Sequence, residues 1–209
     1  MKKNRLELEF IQQKEKNVKK FKKALLENKI DEGIKEILTI LNKSERYYST
    51  SSCSGRIILL QLPNIGDKKN ACFLGKWHRQ IEIDEITESM KKAEKGIIWL
   101  LAQSPIIHIG AKSLDSADNL LKIALSSGFK NSGLKSTNKN IIIELCSTER
   151  LDTPVGKDQT LFCENEYLEL IIEISNQIIK RSSEKTTKLK KNLRKYLSSQ
   201  KTTEKTDIK

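Results

Sequence analysis

Five short apolar runs between helix-like segments constrain the fold of this 209-residue chain more than any other feature. They are RIILLQL (56–62), ACFLGKWH (71–78), GIIWLLAQ (96–103), PIIHIGAK (105–112) and IIIELCS (141–147). Apolar runs of this length, bounded by Gly, Pro, Ser and Asn, predict β-strands. The spacing of apolar residues elsewhere predicts helices over 5–28, 31–42, 84–95, 114–127 and 165–197. The expected fold class is therefore α+β, with a mixed or mainly antiparallel sheet, flanking helices and a long C-terminal helix.

Smaller features refine this prediction. A Ser/Gly-rich turn separates helix 31–42 from strand 56–62, and a similar turn separates helix 114–127 from strand 141–147, which suggests an internal duplication. The segment 148–159 is predicted to be irregular, with a short strand following at TLFC. Poor helix propensity in RSSEKTTK predicts a break in the last helix near Ser182. We expect a single domain over 1–197 and a disordered basic tail over 198–209.

The formal net charge of +12 is concentrated at the two ends of the chain. Residues 1–30 carry a net +6 and residues 180–209 a net +8, whereas the residues between them carry −2. Cationic segments of this kind commonly bind a phosphate backbone. The alternative is that they are solvated helix faces and a tail.

The sequence does not indicate membrane, metal or disulfide chemistry. It has no apolar run of 18 residues, and its start, MKKNRLELEF, lacks the apolar region of a signal peptide. We therefore expect a soluble, cytoplasmic protein. The four cysteines form no CxxC pair and there are only two histidines, so we predict reduced thiols and no bound metal.

The stretch STSSCSGR at 49–56 places four serines, a threonine and a thiol ahead of a glycine and an arginine. A phosphate-binding P-loop requires a helix after it, and the predicted strand that follows excludes that interpretation. Three others remain: a nucleophilic Cys53, a structural turn in which Arg56 pairs with a carboxylate, and a polar ligand site in which Arg56 binds an anion. Only the ligand site accounts for the small residues, the glycine and the arginine together.

Both histidines lie on predicted strands, His78 directly after Trp77 and His108 within PIIHI. A lone histidine on a strand is most often a hydrogen-bonded structural residue, and acid–base catalysis is the alternative role. Trp77 is a candidate for stacking on a nucleobase. Trp99 lies in an apolar strand and is expected in the core.

Several motifs follow one another along the chain: STSSCSGRI, WH, PIIHI, GFKNSGL, ELCSTERLDTP and ENEYL. In this order they resemble the tRNA wybutosine-synthesising protein 3 family from about Asp31 to Leu197. The resemblance implies a methyltransferase that depends on S-adenosyl-L-methionine. It implies methylation of N-4 of the 7-aminocarboxypropyl-demethylwyosine at position 37 of phenylalanine tRNA, with the anticodon stem-loop as partner. One departure is Ser104, where an acidic residue is expected.

Carried onto this chain, the resemblance assigns roles to the matching polar residues. The predicted cofactor-binding residues are Ser52, Ser54, Gly55, Arg56, Ser132, Gly133 and Ser147, and Ser51, Thr148 and Pro154 also match. The candidate general bases, which would take the proton of the acceptor nitrogen, are His78 and His108. The predicted substrate-binding residues are Trp77, Lys76 and Arg150, and the lysines within 14–23 and 185–195 are candidates for phosphate contacts.

Two other functions remain open on the sequence. One is an RNA-binding module without catalytic activity, in which the basic ends bind RNA. The other is a thiol-dependent hydrolase that uses Cys53. The residues alone favour RNA binding over catalysis, and the family resemblance reverses that order.

Overall fold

The computed structural model describes the backbone of residues 2–206 and the side chains of residues 6–199, and this part of the chain contains five helices and nine strands. The helices are α1 (Lys2–Leu26), α2 (Glu32–Lys43), α3 (Ile83–Met90), α4 (Leu114–Ser126) and α5 (Asn165–Thr206). The strands are β1 (Tyr47–Cys53), β2 (Arg56–Leu62), β3 (Cys72–Trp77), β4 (Ile97–Gln103), β5 (Ile106–Ala111), β6 (Gly133–Ser136), β7 (Ile141–Cys146), β8 (Arg150–Lys157) and β9 (Thr160–Leu161). The predicted α+β class and the long C-terminal helix are confirmed.

The strands form two antiparallel sheets rather than the single sheet expected from the sequence. One has the strand order β1-β5-β7-β6, and the other has the order β3-β2-β4-β8-β9. The chain divides into two compact units. The first unit contains the four-stranded sheet and is built from residues up to Ser54, Pro105–Thr148 and residues from Ser183 onward. The second unit contains the five-stranded sheet and is built from Gly55–Ser104 and Glu149–Ser182. The prediction of one domain over 1–197 stays a prediction.

The core of the first unit forms where helices pack on its sheet. Helix α2 buries the predicted face with spacing i, i+3, i+4, i+7, namely Ile34, Ile37, Leu38 and Leu41. These side chains join one apolar cluster with residues of β1, β5, β7, α4 and the C-terminal part of α5. Fully burying each such Leu or Ile contributes about 1.5–3 kcal/mol, so this packing fixes the position of β1.

The core of the second unit covers one face of its five-stranded sheet. Ile57 and Leu59 of β2 belong to this cluster, as do Ile98, Leu100 and Ala102 of β4, which alternate with less buried residues. In β2 the intervening Ile58, on the opposite face, is buried as well. Side chains of α3 and of the first part of α5 complete this cluster. The suggested duplication paired helix 31–42 with strand 56–62, but α2 belongs to the first unit and β2 to the second.

Three elements differ from the sequence prediction. The hydroxyl-rich stretch is the strand β1, and the segment predicted to be irregular contains the strand β8. Helix α5 continues through Ser182 without a break, because Ser175, Ser182 and Thr186 are buried at helical spacing and extend its buried stripe. The backbone of 198–206, predicted to be a disordered tail, continues α5, and 207–209 lie outside the described residues.

Candidate active site

A bulge in β1 brings Ser51 into contact with His108 in the first unit. Ser49 pairs with Ile109 and Ser52 with Ile107, so β1 has one residue more than β5 between these pairs. Bulges re-aim side chains in this way and are frequent beside active sites. Ser51 Oγ lies 3.1 Å from Nδ1 of His108. A motif that the sequence identified therefore contacts one of the two candidate bases.

The other ring nitrogen of His108 is bonded to Glu144, which lies directly opposite on β7. His108 Nε2 is 2.9 Å from Glu144 Oε2, and Lys135 Nζ is 2.7 Å from Glu144 Oε1. Burial acts to raise the pKa of Glu144, but Lys135 and His108 together outweigh it, so this pKa lies below its usual value. Because the carboxylate only accepts hydrogen bonds, Nε2 of His108 carries a proton. In the neutral ring Nδ1 then accepts a hydrogen bond from the Ser51 hydroxyl.

His78 contacts the same motif in the second unit. Its Nδ1 lies 2.8 Å from the carbonyl oxygen of Gly55, a residue that turns the chain with φ of +88°, a conformation that favours glycine. The carbonyl is an acceptor, so Nδ1 donates. In the neutral ring Nε2 is then the basic nitrogen.

Asp31 fixes the end of β1 rather than the start of α2. It occupies the predicted N-cap position, but its side chain makes no cap hydrogen bond. Its Oδ2 instead accepts hydrogen bonds from the backbone nitrogen of Ser54 at 2.9 Å and from Ser54 Oγ at 3.3 Å. Nothing in the spacing of Asp31 and Ser54 in the sequence predicts this role.

Replacing Asp31 by Ala is expected to lower the free energy of unfolding by about 1–3 kcal/mol, because the partly buried Ser54 nitrogen loses its acceptor. Urea unfolding monitored by circular dichroism measures this change. Glu32→Ala is the matched control: its exposed ion pair with Lys35 contributes no more than about 1 kcal/mol. Equal losses in the two variants would contradict the assignment.

A cavity of about 200 Å³ lies beside β1 in the first unit. Its walls include the apolar side chains Phe21, Ile34 and Leu38 and the polar residues Lys20, Lys29, Asp31, Ser49, Thr50 and Ser52. The Ser52 hydroxyl is buried and has no hydrogen-bond partner among the described residues. A buried hydroxyl without a partner is uncommon in folded proteins and often marks a ligand or water site.

The other predicted cofactor-binding residues of the first unit have partners within the protein. Ser132 Oγ donates to the carbonyl of Phe129 at 2.8 Å and accepts from the nitrogen of Cys146 at 3.1 Å. Ser147 is buried and accepts a hydrogen bond from Lys185 Nζ at 3.1 Å. A Cβ at Gly133 would meet no atom within 4 Å. Their cofactor roles stay predictions, and the two serines already fasten β7 to its surroundings.

The predicted substrate residues lie in the second unit. The Trp77 ring covers Gly75, where a Cβ would lie 2.0 Å from Trp77 Cη2, and it packs against the core. Lys76 and Arg150 are exposed. The expectation that Trp99 belongs to the core is wrong: it is partly buried and alternates with the core residues of β4.

The lysines of the basic ends divide into two groups. Lys14 donates to the carbonyl of Tyr47 at 2.7 Å, and burial lowers its pKa, an effect that Glu45 partly opposes. Lys190 pairs with Glu36 at 3.0 Å. These two lysines have structural partners, whereas exposed lysines on the same helices include Lys16, Lys19, Lys22, Lys188, Lys191 and Lys195.

Cysteine and membrane features add little to the site. None of the four cysteines forms a disulfide, and Cys53 is partly buried. Within residues 2–206, no helix has the length and apolar character needed to cross a membrane.

Known proteins identify the family. The model of the Methyltransferase TYW3 family matches residues 11–195. The chain belongs to this family. A Thermococcus kodakarensis protein named tRNA(Phe) 7-((3-amino-3-carboxypropyl)-4-demethylwyosine(37)-N(4))-methyltransferase 1 is 40% identical over 187 residues, covering 89% of this chain and 94% of that protein. The protein of the same name from Pyrococcus horikoshii is 46% identical over 167 residues, covering 79% and 85%.

The fold is similar to a solved structure as well. The structure of the PH1069 protein from Pyrococcus horikoshii aligns with a TM-score of 0.86 at 41% identity, covering 90% of this chain and 98% of that one. The resemblance to the wyosine-pathway methyltransferases that the motifs predicted is therefore confirmed, as is the assignment of the chain to a family of methyltransferases.

Proposed function

We propose that this protein transfers a methyl group to N-4 of the 7-aminocarboxypropyl-demethylwyosine at position 37 of phenylalanine tRNA, with S-adenosyl-L-methionine as the donor. The observation that carries the proposal is the buried hydroxyl of Ser52, unpartnered among the described residues, in the cavity beside the serine-rich strand β1. Ser51 contacts His108 and Gly55 contacts His78. The names of the relatives supply the substrate, and the predicted cytoplasmic location stays a prediction.

The cavity beside β1 fits the polar part of this donor. Its lysines suit a carboxylate, Asp31 suits an ammonium group, and the unpartnered hydroxyl of Ser52 suits a ribose or carboxylate oxygen. The volume of about 200 Å³ is below the usual 300–1,000 Å³ of a complete ligand pocket, so we expect it to hold one end of the molecule. When bound, S-adenosyl-L-methionine supplies an electrophilic methyl group on a sulfonium.

His78 is the proposed general base. The acceptor nitrogen must lose its proton as it gains the methyl group, and a neutral imidazole is suited to accept that proton. The Gly55 carbonyl holds the proton of His78 on Nδ1, which leaves Nε2 as the accepting atom. In His108 the Ser51 hydroxyl and the Glu144 carboxylate bond the two ring nitrogens, so this side chain links β1 to β7. A base that is oriented by a backbone carbonyl needs no rearrangement before it acts.

The test is a methylation assay with purified protein, S-adenosyl-L-methionine and phenylalanine tRNA carrying the demethyl precursor. Nucleoside mass spectrometry is expected to show the mass of one added methyl group on that nucleoside, and none on tRNA lacking the precursor. Calorimetry with the donor alone is expected to show binding. Binding of tRNA without binding of the donor would instead favour the RNA-binding module and overturn the proposal.

Exposed lysines of α5 are expected to contribute to the salt dependence of tRNA binding. Lys188, Lys191 and Lys195 are spaced by three and four residues and so share one helix face. Replacing all three by Gln is expected to weaken tRNA binding and to reduce the slope of log K against log salt by roughly 0.7–0.9 per lost phosphate contact. Filter binding at several salt concentrations measures the slope. An equal change on replacing the exposed Lys68, Lys69 and Lys91 would contradict a specific surface.

A further inference from the structure

The five-stranded sheet has a second face, opposite to its core. Cross-strand pairing places Phe73, Leu60, Trp99 and Pro154 in one row across β3, β2, β4 and β8. A second row contains Arg56, Gln103 and Arg150, and Lys76 lies between the two rows opposite Ile58. None of these residues belongs to the core cluster of this unit. One sheet face therefore combines an aromatic row with three cations.

This face is open where it carries its aromatic row. Phe73 is 55% exposed, Pro154 and Lys76 are exposed, and Trp99 is partly buried. Among the described residues, the indole nitrogen of Trp99 and Nε of Arg56 are buried donors without a hydrogen-bond partner. Unpartnered donors on one face, beside an exposed phenyl ring, indicate that the surface is incomplete without a ligand.

We propose that this face, which we name the aromatic platform (Phe73, Trp99, Lys76, Arg56 and Arg150), binds single-stranded RNA. The inference rests on the proposed function in that it assigns the platform to unpaired nucleotides beside the modified base. Phe73 and Trp99 are separated by one strand, about 10 Å, so two different nucleotides stack on them. The three cations of the platform lie toward one end of the face, where they are suited to contact phosphates of the RNA backbone. Asp152 forms an ion pair with Arg150 and offsets part of its charge.

RNA fits these features better than other occupants do. Single-stranded RNA is recognised by stacking of splayed bases on aromatic side chains combined with cations that follow the backbone. The core of a protein–protein interface is depleted in charged residues, whereas this row of aromatic side chains lies next to three cations. The predicted substrate residues Lys76 and Arg150 thus lie on one surface with Trp99 and Phe73, which no sequence feature predicts as binding residues.

The experiment uses the fluorescence of Trp99. The chain has two tryptophans, so Trp77→Phe leaves Trp99 as the sole indole. Titration with an unmodified single-stranded oligoribonucleotide, without cofactor, is expected to quench its emission. Adding Phe73→Ala is expected to weaken binding by at least about fivefold, and Lys76→Ala to lower the salt slope by roughly 0.7. Tyr167→Ala, which removes another exposed aromatic ring of this unit from α5, is expected to leave the affinity unchanged.

Two results would overturn the inference. One is unchanged affinity in the Phe73→Ala variant together with unquenched Trp99 emission. The other is concentration-dependent self-association, seen by sedimentation, that Phe73→Ala abolishes while RNA binding persists, because the occupant would then be a second copy of the chain. Since binding is measured without the methyl donor, a protein that binds RNA here but transfers no methyl group contradicts the proposed function and leaves the platform intact.

Discussion

Replacing His78 by Ala is expected to slow single-turnover methyl transfer by about 10²–10⁴-fold, the usual contribution of a general base. Because Nδ1 donates to the Gly55 carbonyl, Nε2 is the basic nitrogen of the neutral ring, and the substitution removes it. Binding of the donor and of tRNA is expected to change little, so the loss appears in the chemical step. Single-turnover rates at several pH values, with calorimetry of donor binding, measure both quantities.

The comparison with His108→Ala gives this experiment its control. His108 is bonded at both ring nitrogens, so its loss is expected to disturb β1 and to cost less in rate than the loss of His78. Glu144→Gln is expected to resemble His108→Ala in a milder form, because it keeps the shape of the His108 partner. A larger loss in His108→Ala, with His78→Ala unaffected, would move the base to His108 acting through Ser51. Full rates in both variants would exclude general-base catalysis by histidine.

The elements predicted well are those in which apolar periodicity and burial coincide. Helix α2 and strands β2 and β4 bury the side chains that their patterns select. Strand β1 was missed because hydroxyl residues are typical of turns, yet here the backbone is paired by β5 and the side chains are re-aimed by a bulge. The uninterrupted helix α5 was missed for a related reason. Its buried stripe passes through Ser175, Ser182 and Thr186, and Ser175 bonds the carbonyl of Ile171 four residues earlier.

The site could be predicted as a set of residue types but not as a set of contacts. Both histidines and the serine-rich motif were selected, yet Ser51 meets His108 only through the pairing of strands that are 57 residues apart in sequence. Glu144 gave no signal at all, because it becomes relevant only when β7 lies beside β5. Trp99 was expected in the core but lies on the other face of β4, since a one-residue register decides which face of a strand a ring occupies. The stacking role of Trp77 stays a prediction.

Replacing Gly110 by Ala is expected to lower the free energy of unfolding by about 1–3 kcal/mol. Gly110 pairs with Tyr48 across β5 and β1, and an added Cβ would lie 2.1 Å from Cζ of the Tyr48 ring. That ring is buried and contacts Phe10, with ring centroids 5.4 Å apart, so it has little room to move. Chemical denaturation followed by circular dichroism measures the change in unfolding free energy.

The clash between an added Cβ at Gly110 and the Tyr48 ring predicts that the stability losses of Gly110→Ala and Tyr48→Leu are not additive. Tyr48→Leu alone removes buried contacts and is expected to destabilise the protein. In the Gly110→Ala background the same substitution also relieves the clash. The double variant is therefore expected to be more stable than the sum of the two single losses predicts. Gly133→Ala is the matched control, because a Cβ there meets no atom within 4 Å. Strands β1 and β5 carry Ser51 and His108, so Gly110→Ala also lowers the methylation rate, and Tyr48→Leu restores part of it. Strict additivity of the two substitutions, or an equal loss at Gly133, would show that contact between Tyr48 and Gly110 does not position these strands.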